Sequence, residues 1–241
     1  MNYYVSRKSK LLKDFDRTAS LAQGHLVQRY GKEFADTLHR EARLEYENLI
    51  PEIPFIRDMR ARALNSFLLI TAQEVAVYKA MKKHGKGPDE AWEICHEAIK
   101  ERMKAFSRIK RWLLKRLMHS RFLMRRVTRR VERQEQLKFG DFEIRYVLGD
   151  GTDYDWGVDY VGCGNYNFAK RQGAEDFAPF ICMSDIALGD ALEWGLIRTQ
   201  TLADGCEYCD FRFKKGSSSR ISSKTPEVQA TIERIRIREK K

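Results

Sequence analysis

With 241 residues the chain can bury one large hydrophobic core or two smaller ones. Its 43% hydrophobic and 33% charged residues fit a folded globular chain, and no stretch approaches the roughly 18 uninterrupted apolar residues of a membrane-spanning helix. The formal net charge of +11 invites an anionic partner, whereas five cysteines, an odd count, argue against a disulfide framework. The charged start shows no apolar core or small-residue cleavage site, so no secretory signal is expected, and the odd cysteine count makes a reducing cytoplasm the expected setting.

The N-terminal half reads as helices. Leu11, Leu12, Phe15, Ala19, Leu26 and Tyr30 recur at helical spacing over residues 8–30 and stop at Gly31. A second helix over about 33–49 ends at "IPEIP", where Pro51 and Pro54 break it. A third spans about 55–83 and closes at "HGKGP" with Gly85 as its cap. From Pro88 a helical pattern runs to about 133, longer than a globular helix sustains, so a break is expected between 105 and 121.

Much of the positive charge lies in residues 102–134, where Phe106, Ile109, Leu113, Leu117, Met124, Val127 and Val131 form an apolar stripe on a basic helix. The expectation is a helix that packs this stripe into the core and leaves its basic face in solvent. Nucleic acid is disfavoured because no aromatic-interleaved recognition module is present. Peripheral contact of this helix with an anionic membrane surface or an acidic partner is the alternative.

From 139 the texture changes. "FEIRYVLGDG" and "WGVDYVG" read as strands, "CGNYNFAKRQG" as a short helix, and 175–194 as a longer helix capped by Gly195. "LIRTQTL" and "CDFRFK" read as two more strands around an "ADG" turn, "GSSSRISSK" as a flexible linker, and Thr225-Pro226 as the start of a charged tail helix. The fold class expected is α+β: an N-terminal helical region packed with a small C-terminal antiparallel sheet and helices. The expected organisation is a helical region at 1–134, an α+β region at 135–216, and a linker with charged tail at 217–241.

Candidate chemistry gathers in the second half. All five histidines (His25, His39, His84, His96 and His119) lie in the helical half, so no local Cys-His pair is present. Cys182 and Asp185 stand three apart in the 175–194 helix pattern, between the small Ala178 and Gly189, where a thiol and a carboxylate can meet. Cys163, Cys182, Cys206 and Cys209 include a single CxxC with no second knuckle, so no metal is expected. A redox pair is the weakest reading, because "DFRFK" after Cys209 is strand rather than helix. "GDGTDYDWG" lacks EF-hand spacing and reads as a hairpin turn, and "GCGN" is too short for a dinucleotide fingerprint.

Taken in order, Asp159-Tyr160 with Cys163-Gly164, then "PFICMSD", "RTQTLADG" and "CDFRF" make residues 159–214 similar to the L-2-amino-thiazoline-4-carboxylic acid hydrolase family. The resemblance covers about a quarter of the chain, and the helical half carries no matching motif. It implies a cofactor-free hydrolase that opens 2-amino-thiazoline-4-carboxylate, a cyclic amidine, to N-carbamoyl-cysteine, classed as acting on non-peptide C–N bonds. The family's cysteine and acid positions fall on Cys163, Cys182, Asp185, Cys209 and Asp210, whereas Cys206 departs from the pattern.

The expected mechanism has Cys182 or Cys209 attack the amidine carbon while Asp185 shuttles protons and Asp210 pairs with the amidinium. Arg198 or Arg212 would hold the substrate carboxylate, with Asp159, Tyr160 and Cys163 lining the site. Direct attack by water, with Asp185 as base and the cysteines as walls, is the rival mechanism. A family member repurposed for another small-molecule reaction in biosynthesis is one rival function. A ligand-binding module that turns nothing over is another, since the C-terminal pattern is also similar to vinyl-reductase-like ligand domains.

Overall fold

Gly31, at φ +84°, separates the first two helices, a backbone conformation that a residue with a Cβ rarely adopts. In a computed structural model describing residues 3–239, α1 (Lys8–Tyr30) and α2 (Lys32–Leu49) flank it as the spacing predicted. The third helix, α3, runs Arg62–Lys83 and starts later than expected. Its Asn65 side chain donates to the Ile56 carbonyl at 2.8 Å and accepts from the Ile56 amide at 2.9 Å, which holds the chain after Pro54 out of helical form. The long pattern after Pro88 breaks twice, giving α4 (Pro88–Lys104), α5 (Arg108–Met118) and α6 (Arg121–Glu132). Ser107 and Ser120 cap the new starts by accepting from the Lys110 and Leu123 amides.

The chain divides into two compact units, residues 1–102 with 164–181, and residues 103–163 with 182–241. The first is helical, comprising α1 to α3, most of α4, α7 (Gly164–Arg171) and α8 (Ala178–Ile181). Its core is aromatic: Phe15 stacks on Tyr46 at 5.2 Å and Tyr78 on Phe177 at 4.5 Å, with Trp92 and Phe168 fully buried.

The second unit carries the sheet. Its strands β1 (Gln136–Phe139), β2 (Phe142–Leu148), β3 (Trp156–Gly162), β4 (Leu196–Arg198), β5 (Cys209–Phe213) and β6 (Arg220–Ile221) lie in the order β1-β2-β3-β5-β4-β6. The protein is therefore α+β. All pairings are antiparallel except β4 with β6, which is parallel, so the sheet is mixed rather than purely antiparallel. The serine-rich stretch read as a linker supplies the edge strand β6, because Ile221 is apolar enough to be buried beside Arg198. The tail helix α10 (Pro226–Glu239) docks through buried Val228, Ile232 and Ile235.

Asp204 ties this end together. Its Oδ1 accepts from the hydroxyls of Ser223 at 2.5 Å and Thr225 at 2.8 Å, and its Oδ2 from that of Thr201 at 2.9 Å. Burial works to raise its pKa, but these hydrogen bonds outweigh burial and hold it below the ordinary carboxylate value. A depressed folded pKa gives stability that is present above the unfolded value, about 3.9, and lost as pH falls through the folded one. Asp204→Ala is expected to cost about 2 kcal/mol at pH 7 and less at pH 2, measured as urea midpoints at both pH values.

The basic segment departs from expectation. Of its apolar stripe, Val127 is buried, whereas Ile109, Leu113 and Leu117 are exposed. The expectation holds for α6, where Met124 and Val131 are half-buried beside Val127, and fails for α5, whose part of the stripe is not a core-packing face. Among the described residues no helix is long and apolar enough to cross a membrane.

Candidate active site

Side-chain alternation decides which predicted residues can meet. β3 and β5 pair with Tyr160 opposite Cys209, Asp159 opposite Asp210 and Val158 opposite Phe211. Tyr160, Cys209 and Phe211 therefore leave one face of the sheet, and Asp159, Asp210 and Arg212 the other. Leu196 of β4 stands opposite Phe213, so Arg198, two residues on, joins the Phe211 face, with its guanidinium carbon 5.5 Å from the Phe211 ring centre.

Arg198 is 1% exposed. Its Nη1 donates to Asp185 Oδ2 at 2.5 Å and to the Cys182 carbonyl at 2.6 Å, and Nη2 lies 3.8 Å from Met183 Sδ. This explains why the pattern over 175–194 does not give one helix. The Ile186 amide, which would bond the Cys182 carbonyl in a continuous α-helix, bonds Met183 instead at 2.9 Å. The guanidinium takes the freed carbonyl, and a new helix, α9 (Ser184–Leu192), begins beyond the break. Cys182 and Asp185 are thus set by one arginine on β4 rather than by a helical repeat.

Burial shifts the titrating groups of this cluster. It pushes the Cys182 thiol well up against the opposing charge of Arg198, with Cys209, Cys163 and Asp185 adding to the rise. It pushes Cys209 up to about 12, with Cys163 adding, while the Leu202 amide, donating to its sulfur at 3.2 Å, and Arg198 work against it. Burial also raises the Asp185 carboxyl, opposed by Arg198, and raises the Tyr160 phenol. Cys163, Cys182, Cys209, Asp185, Arg198 and Tyr160 therefore form one electrostatic cluster. It opens to solvent at Asp185, whose side chain remains 27% exposed.

The other predicted residues are engaged elsewhere. On the reverse face Asp159 is buried between Arg212, 2.7 Å away, and Arg145, 2.9 Å away. Asp210 accepts from the Thr199 and Gln200 amides at 2.9 and 2.8 Å and from the Thr199 hydroxyl at 2.6 Å, fixing the loop that follows Arg198. Arg198 and Arg212, expected to clamp a substrate carboxylate, are ion-paired with Asp185 and Asp159. Cys206 sits in the turn before β5, its amide bonded to the Thr201 carbonyl at 3.1 Å.

Among the described residues, no three of the cysteines converge as zinc ligands. The group of potential ligands that does converge is His25, Glu97 and Glu101 in the helical unit, where Lys100 already pairs with Glu97 at 3.2 Å. The sequence reading missed Phe211 and the Leu202 amide. Strand alternation from Cys209 was the signal for the first, and nothing local announced the second.

The family model for L-2-amino-thiazoline-4-carboxylic acid hydrolase matches residues 65–213, a span that contains every member of the cluster. No curated protein and no solved structure matches the chain. With well over half of its length matched by that model, the chain belongs to the L-2-amino-thiazoline-4-carboxylic acid hydrolase family.

Proposed function

We propose that the protein hydrolyses a small cyclic amidine bearing a carboxylate, 2-amino-thiazoline-4-carboxylate or a near relative, with Asp185 as general base and acid. The observation that supports it is the ion pair of buried Arg198 with Asp185 beside Cys182 and Cys209, whose thiols burial holds protonated, within the span matched by a hydrolase family. Water adds to C2, the bond from C2 to the ring sulfur breaks, and that sulfur takes a proton. Both nitrogens stay on C2 in N-carbamoyl-cysteine, so the bond cleaved is C–S, and the C–N class inferred from the resemblance gives way to it. Asp185 takes the proton of the attacking water and returns it to the departing sulfur. Its pKa, raised by burial, lies closer to neutrality than an ordinary carboxylate's, which suits a base. Arg198 is a positioning residue that orients Asp185.

The thiols are better walls than nucleophiles. At about 12, Cys209 is ionised at pH 7 to a fraction on the order of 10⁻⁵. One observation favours a second reading: a single nitrogen of Arg198 bonds both the Cys182 carbonyl and Asp185, which sets the two residues side by side. Asp185 would then take the Cys182 proton as its sulfur attacks C2, the ring sulfur would leave with a proton, and water would release the urea from the S-linked intermediate.

The purified protein is expected to convert L-2-amino-thiazoline-4-carboxylate to a product heavier by one water and to release one thiol per turnover, read by mass and thiol titration. Saturable binding without turnover would assign the non-catalytic ligand module instead. Cys182→Ser is expected to retain activity within tenfold, whereas a loss beyond about 10³-fold would assign the covalent route.

A further inference from the structure

At 100° per residue, Trp112, Ile109, Leu113 and Leu117 of α5 fall within an arc of about 140°. All four are between 54% and 72% exposed, and Phe122, at the start of α6, is 69% exposed. The opposite side of α5, Arg111, Leu114, Lys115 and Met118, is the half-buried one. There Lys115 pairs with Glu193, and the Met118 carbonyl accepts from the Trp156 indole at 3.1 Å. The helix is therefore mounted by a side that is half apolar and half basic, while its most continuous apolar arc is turned out, the reverse of a core-packing helix. This is why the α5 part of the apolar stripe seen in the sequence stays in solvent.

The chemistry around that arc selects its occupant. Residues 108–132 hold ten lysines and arginines against one glutamate. Arg108, Lys110 and Arg116, all exposed, lie within or beside the apolar arc, with Lys110 over the Phe106 ring at 3.6 Å and Arg116 over the Trp112 ring at 5.2 Å. A second copy of this chain would bring like charge to like charge. An acidic lipid surface meets both features, since its headgroups neutralise the cations while the aromatic and aliphatic side chains enter the headgroup boundary. We propose that α5, with Phe122 of α6, docks this protein on a membrane surface bearing anionic lipid.

The test is flotation of the full-length protein with vesicles of phosphatidylcholine alone and of phosphatidylcholine with about 30% phosphatidylserine. Flotation is expected with the second only, and is expected to fall steeply as salt rises. Arg108→Gln/Lys110→Gln/Arg116→Gln is expected to weaken it roughly a hundredfold, and Trp112→Gln/Leu113→Gln to abolish it. Both variants should keep the wild-type thermal midpoint and turnover of soluble substrate. Tryptophan emission should shift to the blue on the acidic vesicles in the wild type but not in Trp112→Phe. Absence of flotation, or flotation indifferent to both sets of substitutions, overturns the proposal. So does a dimer that dissociates in Trp112→Gln/Leu113→Gln without vesicle binding, which would give the face to a second copy. Tighter salt-sensitive binding to duplex DNA than to the vesicles would give it to nucleic acid.

Discussion

Arg198→Met is expected to destabilise the fold by roughly 3–5 kcal/mol, the cost of stranding one member of a buried ion pair. Methionine approximates the stem of the arginine but not the guanidinium over the Phe211 ring, so the loss reports the charge, its hydrogen bonds and that ring contact together. Two acceptors are left behind: the Asp185 carboxylate and the Cys182 carbonyl, at 2.5 and 2.6 Å from the same nitrogen. The carboxylate is already held above its ordinary pKa by burial, with Arg198 as the opposing influence, so its removal drives Asp185 further toward the neutral acid. Removing both partners costs far less than removing one. Arg198→Met/Asp185→Leu should therefore recover most of the lost stability in urea titrations, and a double variant whose loss equals the sum of the two single losses would show that the two groups are not coupled. Arg198→Lys keeps the charge but lacks the planar, longer-reaching group whose one nitrogen donates to both acceptors, and should fall between wild type and Arg198→Met.

The pair also marks how far the sequence could be read. Helices α1 and α2 were legible because apolar spacing and Gly31 act within a few residues. The strands β2, β3 and β5 were legible because their alternation is local too. The strand β6, two residues long, has too little pattern to show against its serines. The break at Cys182 depends on a guanidinium sixteen residues away, so its neighbours gave no sign of it. For the site, the motif order pointed to Cys163, Cys182, Asp185 and Cys209, which the fold gathers into one electrostatic cluster. It also drew in Asp159, Asp210 and Arg212, because a motif runs along the strand whereas the sheet sends alternate side chains to opposite faces. The outward mounting of α5 is the same lesson at larger scale. Periodicity gives an apolar face, but which way it points is set by Lys115, Met118 and their partners Glu193 and Trp156.

Asp185→Asn is expected to lower kcat/KM by roughly 10²–10⁴-fold, the range for losing a positioned general base. The asparagine keeps an oxygen for Arg198 and so preserves much of the local geometry, while it cannot accept the proton of water. In the wild type, kcat/KM should rise with pH through the Asp185 pKa, because the base works only when ionised. That pKa is raised by burial, so the acidic limb should lie above the ordinary carboxylate range, near about 4. In Arg198→Lys the limb should move, since the group opposing the rise has changed, and in Asp185→Asn it should vanish from the residual rate. The effect of this carboxyl on stability has the opposite sign. A raised folded pKa means the folded chain holds the proton more tightly, so its contribution is complete below the unfolded value and is lost as pH rises through the folded one. On the proposed mechanism Asp185 works in the ionised form that the fold favours less, and Arg198 is the residue whose charge opposes that preference. A Cys182→Ser variant separates the two routes to product, since only a nucleophilic thiol would give a loss as large as that of Asp185→Asn. An acidic limb that survives in Asp185→Asn would remove Asp185 as the base and leave the thiols, with their high pKa values, as the groups to explain the rate.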